Sequence, residues 1–92
     1  MPTANARHIL VNSEAECLEL KAAIEAGADF AEIARANSAC PSRLRGGDLG
    51  TFVQGQMVPE FDALVFSGEV GKLLGPVRTE FGFHLVEVTK RW

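Results

Sequence analysis

Apolar positions along this chain fall into short blocks whose period changes from one block to the next. Ala6 to Asn12 reads Ala-Arg-His-Ile-Leu-Val-Asn, a compact β-branched run that predicts a strand. Ser13-Glu14-Ala15-Glu16 follows and matches a capping box, with the Ser13 hydroxyl placed to accept from the Glu16 N–H. Glu14 and Glu16 also suit the positive end of a helix. Cys17, Leu20 and Ile24 then recur at helical spacing as a narrow apolar stripe, and Gly27 closes the segment. Asp29 caps a second helix, with Phe30, Ile33 and Ala34 as its buried face.

Cys40 to Gly47 has no period and reads as an irregular basic loop carrying Arg43 and Arg45. Asp48 to Val53 is a second strand. Pro59 suits the first turn of another helix, where its missing N–H costs nothing. That helix places Phe61, Leu64 and Val65 on one face, and Gly68 ends it. Gly75 to Thr79 is a third short strand. Phe83 to Lys90 is the clearest one, with Val86 and Val88 alternating against Glu87 and Thr89. The order βααβαββ predicts an α+β fold, its helices packed on a mostly antiparallel sheet. Eight of the nine glycines lie between Gly46 and Gly82, together with most of the aromatics. Loops of that composition on a rigid sheet are where binding concentrates.

The length of 92 residues allows one domain, residues 1–92, with one modest core. An apolar fraction of 47% beside 23% charged residues excludes wholesale disorder. No apolar run approaches the ~18 residues that span a bilayer, so no membrane partner is expected. Met1 to Arg7 lacks the apolar core of a signal peptide, and the expectation is a cytoplasmic protein. Nine basic and twelve acidic residues, scattered to a net charge of −3, argue against nucleic acid. Cys17 and Cys40 are too few for a disulfide framework and are expected as thiols. Cys-x-x-Cys and His-x-x-x-His spacings are missing, so no metal site and no cofactor are expected.

Three residues stand out chemically: His8 in the first strand, Cys40 after the second helix and His84 in the last strand. If the two strands pair, the imidazoles can lie side by side. Read singly, each is more simply a buried histidine with a polar partner, and Cys40 a small buried apolar residue. Arg45-Gly46-Gly47-Asp48-Leu49-Gly50 lacks both the Lys-Ser/Thr ending of a phosphate loop and the dinucleotide spacing, and reads as a tight turn into a strand. Met57 and Phe61 stand four apart, as ordinary core or as the walls of a shallow apolar pocket.

Taken in order, the segments resemble the parvulins, the smallest family of peptidyl-prolyl cis/trans isomerases. The matching pieces are Ala6-Arg7-His8-Ile9-Leu10-Val11, Gly27-Ala28-Asp29-Phe30, Arg45-Gly46-Gly47-Asp48-Leu49-Gly50, Gly55-Gln56-Met57-Val58-Pro59-Glu60-Phe61, Gly75-Pro76-Val77 and Phe81-Gly82-Phe83-His84-Leu85-Val86. The resemblance implies a four-stranded antiparallel sheet surrounded by helices, βαααβαββ, with one short helix more than the pattern alone gives. It implies that His8 and His84 are paired beneath an active site and that Thr79 bonds to that pair. It puts Cys40 at a position that parvulins fill with cysteine or aspartate. It makes Leu49, Met57 and Phe61 the pocket for a proline ring, and sets Phe81 where some phosphate-directed members carry serine. The implied partners are proline-containing polypeptide segments, met by a monomer.

Phosphate-directed parvulins resemble one another in a basic cluster on a long loop after the first strand. Here that connection is Asn12-Ser13, followed by Glu14 and Glu16, so phosphate dependence is not expected. Two rivals remain open at this level: a non-catalytic peptide-binding module on the same fold, and a thiol enzyme built on Cys40 and His84.

Overall fold

A computed structural model describes residues 2–92. The chain runs β1 (Thr3–Val11), α1 (Glu14–Glu25), α2 (Phe30–Asn37), a 3₁₀ turn (Pro41–Arg45), β2 (Asp48–Val53), α3 (Pro59–Ser67), β3 (Leu73–Thr79) and β4 (Gly82–Arg91). The helix starts follow from their caps. Ser13 Oγ accepts from Glu16 N–H at 3.1 Å, and Asp29 Oδ2 accepts from Glu32 N–H at 3.1 Å. Gly27, at φ +115°, turns the chain out of α1. Pro59 opens α3 at its first turn.

The strands form one sheet in the order β2-β1-β4-β3, and each pairing is antiparallel. β1 and β4 are therefore central, and both of their faces are covered. On one face Ile9, Val11 and Leu85 pack with Cys17 of α1 and with Phe30 and Ala34 of α2. On the other Ala4, Ala6, Val86 and Val88 pack with Phe52 and with Phe61 and Val65 of α3. Ala4 and Ala6 are small, which suits the close approach of the α3 aromatics to β1. Each large side chain so buried contributes about 1.5–3 kcal/mol.

The structure extends several predicted elements. β1 begins at Thr3, before the β-branched run, because its first residues are paired on both sides, by β2 and by the end of β4. Thr3 and Trp92 also exchange two backbone hydrogen bonds of 2.9 Å, which fastens the chain ends together. β3 begins at Leu73, where Leu73 and Leu74 already pair with β4 ahead of an irregularity at Gly75–Pro76. In β4 the expected alternation of Val86 and Val88 against Glu87 and Thr89 holds, and it is preceded by a buried run, His84-Leu85-Val86, as covering both faces requires. The basic loop contains the implied third helix as the 3₁₀ turn, with Pro41 at its start and left-handed Gly46 at its end.

Gly47 joins that turn to β1. Its carbonyl accepts from His8 N–H at 2.9 Å, and its own N–H donates to the Ser42 carbonyl at 2.9 Å. At φ +88° a Cβ there would lie against the His8 carbonyl oxygen, well inside contact distance, and against Ala34 Cβ. Gly50, at φ +75°, has open space around the same position. Gly50→Ala should thus lose only the ~1–2 kcal/mol of left-handed strain, and Gly47→Ala clearly more. Urea unfolding of the two variants measures this, and equal losses would contradict it.

Candidate functional site

The register between β1 and β4 sets Leu10 opposite His84 and His8 opposite Val86. The two histidines are thus diagonal neighbours on the face that packs against α3. Their Nδ1 atoms lie 3.0 Å apart, with the rings 5.2 Å between centroids and 18° from parallel. On its far side His84 Nε2 meets Thr79 Oγ1 at 2.7 Å. Thr79 sits at the end of β3, paired with Gly82 across the β3–β4 turn, and its Oγ1 also accepts from Phe81 N–H at 3.1 Å.

These contacts select a proton arrangement. Of the two groups that meet the Thr79 hydroxyl, Phe81 N–H can only donate, so His84 Nε2 is the acceptor for the hydroxyl proton and Thr79 donates to it. His84 then carries its proton on Nδ1 and donates it to His8 Nδ1, which leaves the His8 proton on Nε2. In this assignment both Thr79 and His84 are satisfied. The buried His8 Nε2 has no protein partner among the described residues. The opposite assignment would leave the Thr79 hydroxyl proton without an acceptor as well.

Phe61, from the first turn of α3, stands edge-on to both rings, at 5.6 Å and 88° from His8 and at 5.5 Å and 74° from His84. His8, His84 and Thr79 are all buried. Burial pushes the His8 pKa down to about 4, helped by the nearby His84, and burial lowers His84 as well. The pair is neutral at physiological pH.

Above the pair opens a cavity of about 260 Å³ lined by His8, Cys40, Leu49, Met57, Val58, Phe61, Phe81 and His84. The structure thus gathers every sequence-predicted site residue except Thr79 around one hollow, and Thr79 stands behind it, bonded to His84. The lining contains no charged side chain. Phe81 is 61% exposed and forms the rim. A larger hollow of about 560 Å³, at Pro2, Gln54, Phe66, Arg91 and Trp92, contains none of these residues.

Two contributors escaped the sequence reading. Val58 joins the wall because it immediately precedes α3, at φ −58° and ψ 148°, beside Met57; its only signal was its place in the Gly-Gln-Met-Val-Pro segment. Ser38, buried at the end of α2, accepts from Leu10 N–H at 3.0 Å and from Cys40 N–H at 3.3 Å. It thereby fixes the half-buried Cys40 beside β1. A single serine before Cys40 gives no such indication in sequence. Cys17 is fully buried against the opposite face, and burial pushes its thiol up to about 11, so it is an inert core residue.

The family model described as the PPIC-type PPIase domain matches residues 2–92. The foldase protein PrsA of Exiguobacterium sibiricum is 46% identical over 88 residues, covering 94% of this chain and 29% of its own length. The crystal structure of PrsA from Bacillus anthracis superposes with a TM-score of 0.96 at 37% identity, over 99% of this chain and 42% of that one. The solution structure of NmPin, the parvulin of Nitrosopumilus maritimus, gives 0.85 at 30% identity, over 96% of each chain. The chain spans about a third of the length of the curated relatives it matches.

The neutral pair makes stability depend on pH. The unfolded chain protonates His8 at its ordinary value of 6.5, whereas the folded chain resists until about 4. The stability gained from neutral His8 is therefore complete above pH 6.5 and is lost as the pH falls toward 4. His84 acts in the same direction. Denaturant unfolding between pH 7 and 4 should show stability falling by up to about 1.4 kcal/mol per pH unit for each proton taken up. A flat profile would place a charged imidazole in the folded site.

Proposed function

The chain belongs to the PPIC-type peptidyl-prolyl isomerase domain family, and from that membership we propose that it accelerates cis/trans rotation about Xaa-Pro bonds in flexible or unfolded polypeptide segments. The observation that carries this reading is the apolar cavity floored by a neutral, hydrogen-bonded histidine pair. Relatives that bear the name foldase support polypeptide as the substrate class.

The chemistry follows from the amide. Its rotation barrier is ~20 kcal/mol because resonance must be broken, while the two isomers of an Xaa-Pro bond differ by only ~0.5–1 kcal/mol. In the twisted state the nitrogen is pyramidal and the amide is less polar. A dry pocket favours that state over the planar one. Leu49, Met57, Val58 and Phe61 hold the proline ring throughout the rotation, while the dry surroundings of the swinging carbonyl bind the twisted geometry better than the planar one.

The histidines act as a rigid floor. Both His84 nitrogens and His8 Nδ1 are occupied within the chain of bonds, and the unpartnered His8 Nε2 carries its proton, so neither ring offers a lone pair to serve as a general base. Cys40 lies at the cavity with its backbone held by Ser38. It supplies a polarisable thiol beside the carbonyl without attacking it, since attack needs an activated thiolate and donors for an oxyanion. Phosphate is not required. Only Asn12 and Ser13 separate β1 from α1, and the cavity carries no cationic side chain.

A protease-coupled assay on Xaa-Pro tetrapeptides tests this. The folded protein should accelerate cis-to-trans conversion, and phospho-Ser-Pro should gain nothing over Ser-Pro. A rate equal to the uncatalysed one would leave a peptide-binding module. In the same assay Cys40→Asp should keep most of the activity and Cys40→Ala should lose about tenfold, or ~1.4 kcal/mol of transition-state stabilisation. Total loss in both folded variants, with a thiol adduct trapped during turnover, would establish nucleophilic catalysis instead.

A further inference from the structure

Resting on the isomerase reading, we propose that Asp62 is a positioning residue that sets the width of the proline slot. Met57 and Val58 form one wall of the cavity, yet they sit on the connection between β2 and α3, residues 54–58. Gln54, Gly55 and Gln56 of that connection are exposed. Met57 and Val58 pack against the core, but packing does little for the three exposed residues ahead of them, and hydrogen bonds must order those.

Gln54 N–H donates to the Pro2 carbonyl at 3.1 Å. Gln56 closes a local turn on Val53, its N–H donating to the Val53 carbonyl at 3.2 Å and its Oε1 accepting from Val53 N–H at 2.6 Å. These bonds fasten the connection to the sheet. Asp62 fastens its middle to α3: Asp62 Oδ1 accepts from Gly55 N–H at 2.7 Å. That distance is at the short end for an N–H donor on a carboxylate.

The ordinary use of an acid in a first helical turn is to face the helix's own N–H groups. Here the carboxylate is turned out of α3 and spent on the loop, although Val58 gives that helix no side-chain cap. Asp62 is also the residue next to Phe61, which lines the cavity. Asp62 thus ties the connection to the helix bearing Phe61 through its backbone N–H, which donates to the Val58 carbonyl at 2.9 Å, and through its carboxylate on Gly55, and the distance between Met57 and Phe61 is the slot into which a proline ring fits.

Removing the acceptor frees Gly55 N–H into water, because Gly55 is exposed, so the fold loses little. What the pocket loses is order before binding, and the substrate must then restore it. Met57 touches the proline ring in the planar and twisted states alike, so the loss falls on KM and leaves kcat.

NMR line-shape analysis of an Ala-Pro peptide separates the two constants. Asp62→Ala should raise KM about five- to tenfold, the scale of one hydrogen bond, with kcat within about twofold. Asp62→Asn keeps an acceptor at the same place and should stay near wild type. Asp62→Glu displaces the acceptor by one methylene and should raise KM while the charge is retained. The Met57 methyl, observed by ¹³C relaxation without any substrate, should become more mobile in Asp62→Ala and stay as in wild type in Asp62→Asn. An unchanged KM and an unchanged Met57 methyl in Asp62→Ala would overturn the proposal, as would an Asp62→Asn as impaired as Asp62→Ala. A wild type that leaves the peptide uncatalysed refutes the isomerase reading instead, and the methyl measurement still decides the role of Asp62.

Discussion

The hydrogen bond between His8 Nδ1 and His84 Nδ1 constrains the rest of the site. It holds a single proton between two nitrogens, so a pair protonated on both Nδ1 atoms is sterically and electrostatically forbidden. Burial under Phe61 then disfavours even one positive charge. Two polar rings thereby become a neutral, flat platform inside an apolar face. The platform exists only because β1 and β4 are adjacent and in a register that makes positions 8 and 84 diagonal neighbours. Thr79 closes the chain from the β3–β4 turn, so three strands contribute to one set of bonds.

From that platform the cavity is assembled by elements drawn from separate parts of the chain. α3 brings Phe61 and the residues ahead of it bring Met57 and Val58; the end of α2 brings Ser38 and, through it, Cys40; the β3–β4 turn brings Phe81. Gly47 permits the 3₁₀ turn to lie against the His8 backbone, where any Cβ would intrude. The result is a pocket whose histidine nitrogens, His8 Nε2 aside, are spent on one another and on Thr79, and whose walls are apolar. Such a pocket suits a reaction that needs desolvation and shape and does not need proton transfer.

Much of this was legible in sequence because it is local. Ser13, Gly27, Asp29 and Pro59 mark helix ends through interactions within a few residues, and the helices begin or end where these residues dictate. The strand starts were less legible. Ala4 and Asn5 have weak strand propensity and are extended because strands on both sides pair with them. The site was half legible. His8, Cys40 and His84 are conspicuous singly, but the bond between the histidines depends on the register of strands 76 residues apart. Ser38 was silent because its partners, Leu10 and Cys40, are set by packing of α2 on the sheet. The ordered resemblance to parvulins supplied what period and spacing could not, including the short helix in the Pro41–Arg45 segment.

The central claim is that rotation is accelerated by desolvation and shape, with no proton or covalent bond transferred. The measurement closest to it is two-dimensional exchange NMR on an Ala-Pro peptide in H₂O and in D₂O, with the folded protein and nothing else added. The account predicts acceleration of cis/trans exchange with a solvent isotope ratio near 1. Proton transfer in the rate-limiting step would raise that ratio to about 2 or more. Either that ratio, or exchange at the uncatalysed rate in the presence of folded protein, would contradict the account.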